Sequence, residues 1–577
     1  MSSTNLTDFR NQYLARAKAR LTAVDLASAD DHTLVLAGAM LRSYDSVNRF
    51  DAILPEAIAP IEGMTSAELD AYLQDASNRQ SFELVLSSTE AMKAMAASVP
   101  AMAAVAGSTR GMNGVSASSV ARNALLASSV AMAAINASPL ATTKLAVGIV
   151  GLDPLVFANV EAVAASTTAV TAVAASASAM NVLGASSAAR AALLNSAPAM
   201  NILKASSMAM AKLVTGAINL DPVVWGDMTA VAASPSAASA VAASTQAVNF
   251  SVLSSVAMNA LAASSNAMAA LIALPASMSL IYASSTAMAS VVASSNAMNI
   301  VAASASTIGA LLASANALNF AVGSATAMSS ISASATAMAA VIANTTALNA
   351  VVASGTAMNA VAASGTAMNA VLASSTAMNA VAASSTAMNA VAASSTAMNA
   401  VLASSTAMTA VLASSTAMNA VAASSTAMNA VAVSSTAMNA VAASSAAVAV
   451  MAASANAMSA LNASNAAMDA LYASPLVLKV SYASAATWAS QTTLRNGIGL
   501  FVRLTTRAGN AGWGEGNAAN EWATFDGVNV LYSERTANPY NHTTLTASPR
   551  LPMRRFATSL SYRGYAAVEF AFIPLTA

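Results

Sequence analysis

The chain has 577 residues, with 23 Lys plus Arg against 23 Asp plus Glu and no cysteine. Zero net charge gives no electrostatic reason to expect nucleic acid or an anionic membrane as partner, and the missing thiols exclude disulfides and thiolate metal sites. Hydrophobic residues make up 57%, aromatic residues 4% and charged residues 8%, against about 25% charged in ordinary globular proteins; the apolar mass is therefore Ala, Val, Leu and Met.

Residues 1–87 hold most of the acidic residues and several basic ones. Asp8 to Val24 reads as an amphipathic helix with Phe9, Tyr13, Leu14, Ala17 and Leu21 on one side,. Thr65-Ser66-Ala67-Glu68 has the form of a capping box opening a helix through Tyr72 and Leu73,. These features predict a small helical head, serving as the terminal cap of the repeats beyond residue 87, as an attachment point, or as both. Phe9, Tyr13 and Leu14 are the candidate attachment residues. The stretch MSSTNLTDFRNQYLARAKAR has no apolar core of a secretory signal,.

From about residue 88 to 490 the chain is a decamer array, read as Ala-Ser-Ser-Thr-Ala-Met-Asn-Ala-Val-(Ala/Leu). From Met358 to Met438 a methionine falls on every tenth position, here position 8 of the decamer. Met368, Val371 and Leu372 stand at i, i+3 and i+4, one face of an α-helix,. The prolines argue against one continuous helix. Pro139, Pro235, Pro275 and Pro475 lie three residues before position 8, and Pro100 and Pro198 two before it. Proline suits the first turn of a helix and breaks its interior, while Ser374 and Ser375 mark preferred N-cap positions. Each decamer therefore predicts its own helix of about seven or eight residues, ending in a tight turn. Such helices are too short to stand alone and must stack. The alternative is a strained coiled coil, whose apolar stripe would rotate by about 80° per decamer. The mean hydropathy of +0.61 raises the question of a membrane. Ser, Thr or Asn interrupts the array too often for a spanning segment, so no membrane insertion is expected.

The register stretches from ten to eighteen residues twice, near 142–160 and 210–228, around GIVGLDPLVF and GAINLDPVVW. Asp153-Pro154 and Asp221-Pro222 predict the N-cap and first residue of a longer helix. The interruption is either a joint or docking point, or a duplicated segment with a tolerated insertion.

Residues 491–577 change again, to Gly, Thr, Arg and aromatics. GIGLFVRLTT, NVLYSER and GYAAVEFAFIPL have strand composition and predict a β-sandwich-like tip. The loop Ala508 to Trp522 is rich in Gly and Asn and holds two of the 4 Trp. Trp513, Trp522, Tyr532, Arg535 and Tyr540 are candidate receptor-binding residues suited to stacking on and hydrogen-bonding a sugar; the alternative is that the Trp residues anchor a core or trimer interface. The chain has two His, His32 and His542, in different end regions. Between Asp227 and Asp469 the array has no charged residue for acid–base work,. Paired carboxylates such as Glu515 and Glu521 in the tip are in principle those of a glycosidase, although such pairs near loops are usually just solvated. No Walker, Rossmann or zinc spacing appears. The expectation is no enzyme, no cofactor and no metal. The fold class expected is mainly α: a long shaft of short stacked helices, a helical N-terminal head and a small β-rich tip.

Head, uncharged repeat shaft and aromatic β tip together resemble a tailed-bacteriophage fibre or appendage protein, and ASSTAMNAVAASSTAMNAV is similar to decamer repeats of tail-fibre-like phage proteins. That resemblance implies a virion protein assembled in the host cytoplasm. Its head would bind other virion proteins of tail, collar or capsid, and its tip a host surface glycan or protein. Fibres of this kind are often homotrimers, whereas an α-solenoid can be a single chain. The alternative function is a bacterial surface adhesin or stalk.

Overall fold

The computed structural model describes residues 58–482, 492–506, 521–533, 552–563 and 568–575. Phe9, Tyr13 and Leu14, with the predicted Asp8–Val24 helix, lie outside the described residues. Two units divide the chain, Met1–Ile281 and Tyr282–Ala577.

The decamer explains the local structure in both. Ser384 is extended (φ −98°, ψ 118°), and its hydroxyl accepts from the Ala387 N–H at 3.2 Å, starting the helix Ser385–Ala393. That helix ends at Ser394, which accepts from Ala397 and starts the next. A single residue is thus the C-cap of one helix and the N-cap of its successor. Consecutive helices bend by 97° to 105° in the first unit, as at Ser255–Ala263 and Ser265–Ile272, and by 101° to 106° in the second. Helices run eight or nine residues in most decamers, as the proline positions predict: Pro139, Pro235 and Pro275 are first residues, and Pro100 and Pro198 second residues. Pro475 is the exception. The last helix is Asn465–Tyr472, and the chain after Ser474 turns into a strand.

Each helix packs chiefly on the third helix before and after it, so the chain coils with about three decamers per turn. Ala387, Met388, Val391 and Ala392 are buried, while Ser385, Asn389 and Ala393 face out. A fully buried Met contributes about 1.5–3 kcal/mol, which is what two-turn helices need to persist. The N-cap serine has a second role. In many decamers its hydroxyl donates to the carbonyl 32 positions earlier, in the preceding turn of the coil. In the first unit Ser128 donates to Ala96 at 2.6 Å and Ser138 to Ala106 at 2.6 Å; in the second Ser384 donates to Val352 at 2.7 Å and Ser394 to Ala362 at 2.6 Å. A hydroxyl accepts from its own helix and donates to the preceding turn at once. Aspartate would cap equally well but would set a charge against a carbonyl. This accounts for Ser at the cap, and removes one use for charge along the stack.

The described part of the head, residues 58–87, is helical. The Thr65 capping box forms with Glu68, opening Ser66–Tyr72, and this helix packs on Val99–Gly107.

The two interruptions correct the sequence reading. The extra residues lengthen the preceding helix, to Pro139–Ile149 and Ser207–Ala217, and then form a protruding turn. Asp153 and Asp221 do cap, accepting from Leu155 and Val223 at 2.9 Å each. What they open is a single turn, Pro222–Val224 in the second copy. The helices beyond these turns are short, Val160–Ala165 and Met228–Ala233, capped by Asn159 and Asp227.

The C-terminal part is β-rich, as predicted, but begins earlier. The repeat register extends to 490, yet β1 (Leu478–Tyr482) already lies within it. Next in the chain are β2 (Thr492–Asn496), β3 (Gly499–Thr506), β4 (Glu521–Phe525), β5 (Val528–Ser533), β6 (Arg554–Phe556), β7 (Ser559–Arg563) and β8 (Val568–Pro574). They form two antiparallel four-stranded sheets, ordered β1-β8-β3-β6 and β2-β7-β4-β5. Phe501 of one sheet meets Phe525 of the other edge-on at 5.2 Å, and Tyr562 meets Phe570 at 5.4 Å; all four are buried.

Candidate functional site

The first charged residue after Asp227 is Asp469, on the last helix of the array. Its carboxylate pairs with Arg503 of β3. The Arg503 guanidinium lies 4.4 Å from the Tyr472 ring centre and the Lys479 ammonium 4.2 Å from it. The Tyr472 hydroxyl donates to Glu569 of β8 at 3.4 Å and accepts from Lys479 at 3.1 Å. One decamer before Tyr472, Asn462 binds both backbone groups of Met553: its amide nitrogen donates to the carbonyl at 3.1 Å, and its amide oxygen accepts from the N–H at 2.7 Å. These groups join the last two helices to both edges of one sheet. A flexible linker would need none of them.

Sequence reasoning missed this cluster, although a signal was present. Asn462 and Tyr472 stand at position 2, where the decamer has Ala or Leu, and Asp469 stands at position 9 in place of Asn. At these three positions the departure from the repeat marks a contact outside it.

Of the predicted tip residues, Trp522 and Tyr532 fall in adjacent strands. Trp522 of β4 is opposite Leu531 of β5, and Glu521 opposite Ser533, so the register skips at Tyr532. Tyr532 sits at a β-bulge on β5, the edge strand of its sheet. Bulges bend an edge and re-aim what it carries. Trp513, Arg535 and Tyr540 lie outside the described residues, as do Glu515 and His542. At the other end of the same hairpin, Asp526 (φ 53°) and Gly527 (φ 83°) form the tight Asp-Gly turn,. The Asp526 carboxylate accepts from Ala557, Thr558 and Ser559 N–H and from the Thr558 hydroxyl, at 2.6–3.1 Å. Partial burial pushes its pKa up, but these donors outweigh burial and hold it down at about 2. The hairpin is thus clamped to the β6–β7 loop at its turn.

Among the described residues no three His, Asp or Glu side chains converge on one point, and no single helix is long and apolar enough to cross a membrane. Comparison with known protein families and with characterised proteins finds no match.

Proposed function

We propose that this protein is a structural fibre component of a tailed-phage virion, whose helical coil spaces a recognition domain away from its point of attachment. The reading rests above all on the join between the array and the β domain. A charge-free array of 241 residues between Asp227 and Asp469 ends in a domain held by ion pair, cation–π contacts and a two-bond Asn462–Met553 clamp. Rigid carriage of a terminal domain is the use of such a join. The array offers packing and little else: its exposed positions repeat Ser, Thr, Asn and Ala. Recognition in this reading belongs to the bulged β4–β5 edge around Trp522 and Tyr532, with Trp513, Arg535 and Tyr540 nearby in sequence, and its ligand is a host-surface glycan.

The test is a glycan array probed with the full chain, alongside Trp522→Ala and Tyr532→Ala variants of unchanged melting temperature. The expected result is a restricted glycan set lost in either variant. Binding that survives both, or no binding to any glycan, removes the edge as receptor site. Micrographs of particles labelled at both chain ends test the fibre reading itself; a chain absent from virions refutes it.

A further inference from the structure

The two interruptions are copies of one device, 68 positions apart. Arg122 donates to the Ser116 carbonyl at 2.5 Å, and Arg190 to the Gly184 carbonyl at 2.7 Å. Lys144 and Lys212 are buried, and their ammonium groups donate to the carbonyls of Pro154 and Pro222 at 2.5 and 2.6 Å. Gly151 (φ 73°) and Asn219 (φ 56°) reverse the chain at matching points. Leu152 and Leu220 close the turn onto Val147 and Thr215 at 3.0 Å each. Burying a lysine carries a desolvation cost, and here it is met twice to pin a turn that holds apolar side chains in water: Leu155 is 71% exposed, Val156 68%, Val223 65% and Val224 70%. A tolerated insertion has no need of this support, and exposed apolar side chains so held mark a contact surface.

The two turns lie on the same edge of the coil. Pro139–Ile149, Ala177–Ala185 and Ser207–Ala217 stack in one column, and Gly184 meets Gly216 so closely that a Cβ on Gly216 would lie 1.7 Å from the Gly184 carbonyl oxygen. The knobs are therefore two stacking steps apart, about 16–20 Å. Both are framed by exposed acids, Asp153 and Glu161 at one, Asp221 and Asp227 at the other, while the neighbouring Lys144, Arg190 and Lys212 are buried.

We propose that residues 8–24 of the same chain dock across the two knobs. That segment carries Arg10, Arg16, Lys18 and Arg20 against one acid, Asp8, which complements the acidic frame. As a helix its apolar stripe runs from Phe9 to Leu21, about 18 Å at 1.5 Å per residue, matching the knob spacing. The 33 residues from 25 to 57 link that segment to Ile58, and a stretch of that length can reach about 30 Å. The helix Ser66–Tyr72, soon after Ile58, packs on Val99–Gly107 and lies two to three turns from the first knob, so the reach suffices. The proposal does not depend on the fibre reading.

The absence of native cysteine makes the test direct. In the full-length chain, Phe9→Cys or Leu21→Cys is combined with Val156→Cys, Val224→Cys or, as control, Leu84→Cys. Leu84 is 68% exposed and nearer the tether. Under mild oxidation, Phe9→Cys should bridge one knob and Leu21→Cys the other, within one chain and roughly tenfold faster than either bridges position 84, the gain expected of an oriented tethered contact. Replacing Asp153, Asp221 and Asp227 by Asn, which still caps, and Glu161 by Gln should slow bridging severalfold, as should high salt. Equal rates at position 84 overturn the proposal. So do bridges between chains that rise with concentration, which would make the occupant a second copy. Rates indifferent to charge and salt overturn the electrostatic fit.

Discussion

Asn462 and Met553 are 91 positions apart and joined by two hydrogen bonds, at 3.1 and 2.7 Å, through one side-chain amide. Replacing Asn462 by Ala leaves a half-buried N–H and carbonyl on Met553 without these partners. Such a loss costs about 1–3 kcal/mol. Asp469→Ala should cost less than about 1 kcal/mol, because the Asp469 side chain is 55% exposed and its pairing with Arg503 is screened,. Chemical denaturation followed at the β domain's aromatic signal should rank the two in that order. The reverse order would mean that the ion pair, not the amide clamp, fixes the domain.

The serine caps make a sharper claim. Ser384 accepts from Ala387 and donates to Val352, whereas its neighbour Ser385 is exposed at the first helical position. Ser384→Ala should cost about 1–2 kcal/mol for the cap and more for the stranded carbonyl; Ser385→Ala should stay within about 0.5 kcal/mol. Amide exchange around residues 352 and 387 reads the difference. Equal protection in both variants would show that the cross-turn bond contributes nothing.

Proline distinguishes helix start from interior in the same decamer. Ser385→Pro places it where Pro235 and Pro275 already sit as first residues and should be tolerated. Ala390→Pro falls in the middle of Ser385–Ala393 and should cost about 3 kcal/mol or more. Similar melting temperatures would refute separate helices.

Helix starts were legible because Pro and Ser each obey a local rule at the N-terminus of a helix. The partner of each helix was not, because a ten-residue period says nothing about how many repeats close a turn. That number appears in the packing of each helix on its third neighbour and in the Ser384–Val352 type of bond, which spans 32 positions. The LDP segments misled for a related reason. Asp153 and Asp221 are correct caps, but what decides their context is Lys144 and Lys212 reaching forward ten positions to the Pro carbonyls. Leu478–Tyr482 was hidden because it keeps the decamer spacing while pairing with β8. The Trp522–Tyr532 proximity was within reach of the hairpin pattern; the bulge was not.

The Asp526 clamp predicts a pH signature. Its folded pKa of about 2 lies below the ordinary aspartate value, so its contribution is fully present above about pH 4. It is lost as pH falls through the window from about 4 to 2. The turn is exposed, so the contribution is nearer 1 kcal/mol than the unscreened shift would give. Asp526→Asn should lower β-domain stability by about that much at pH 7 and flatten the acid limb of the stability curve. A parallel limb in the variant would assign acid sensitivity to other carboxylates.

The number of decamers per turn is open to measurement by deletion. Thr346 and Thr436 lie on helices Thr345–Ala353 and Ser435–Ala442, in one column three turns apart. Spin labels at cysteines placed there report the distance between them. Removing residues 375–404 takes out three decamers, hence one turn. The stack should reseal, because a whole turn is removed and the decamer register is kept, and the labels should approach by about 8–10 Å. Removing only 375–384 should bring them closer by about a third of that along the coil axis, and move one label to a different edge. A single continuous helix would instead shorten by about 45 Å for the larger deletion. The two alternatives differ by more than fourfold, so a shift near 45 Å would refute the coil, and a shift near one helix diameter would confirm three decamers per turn.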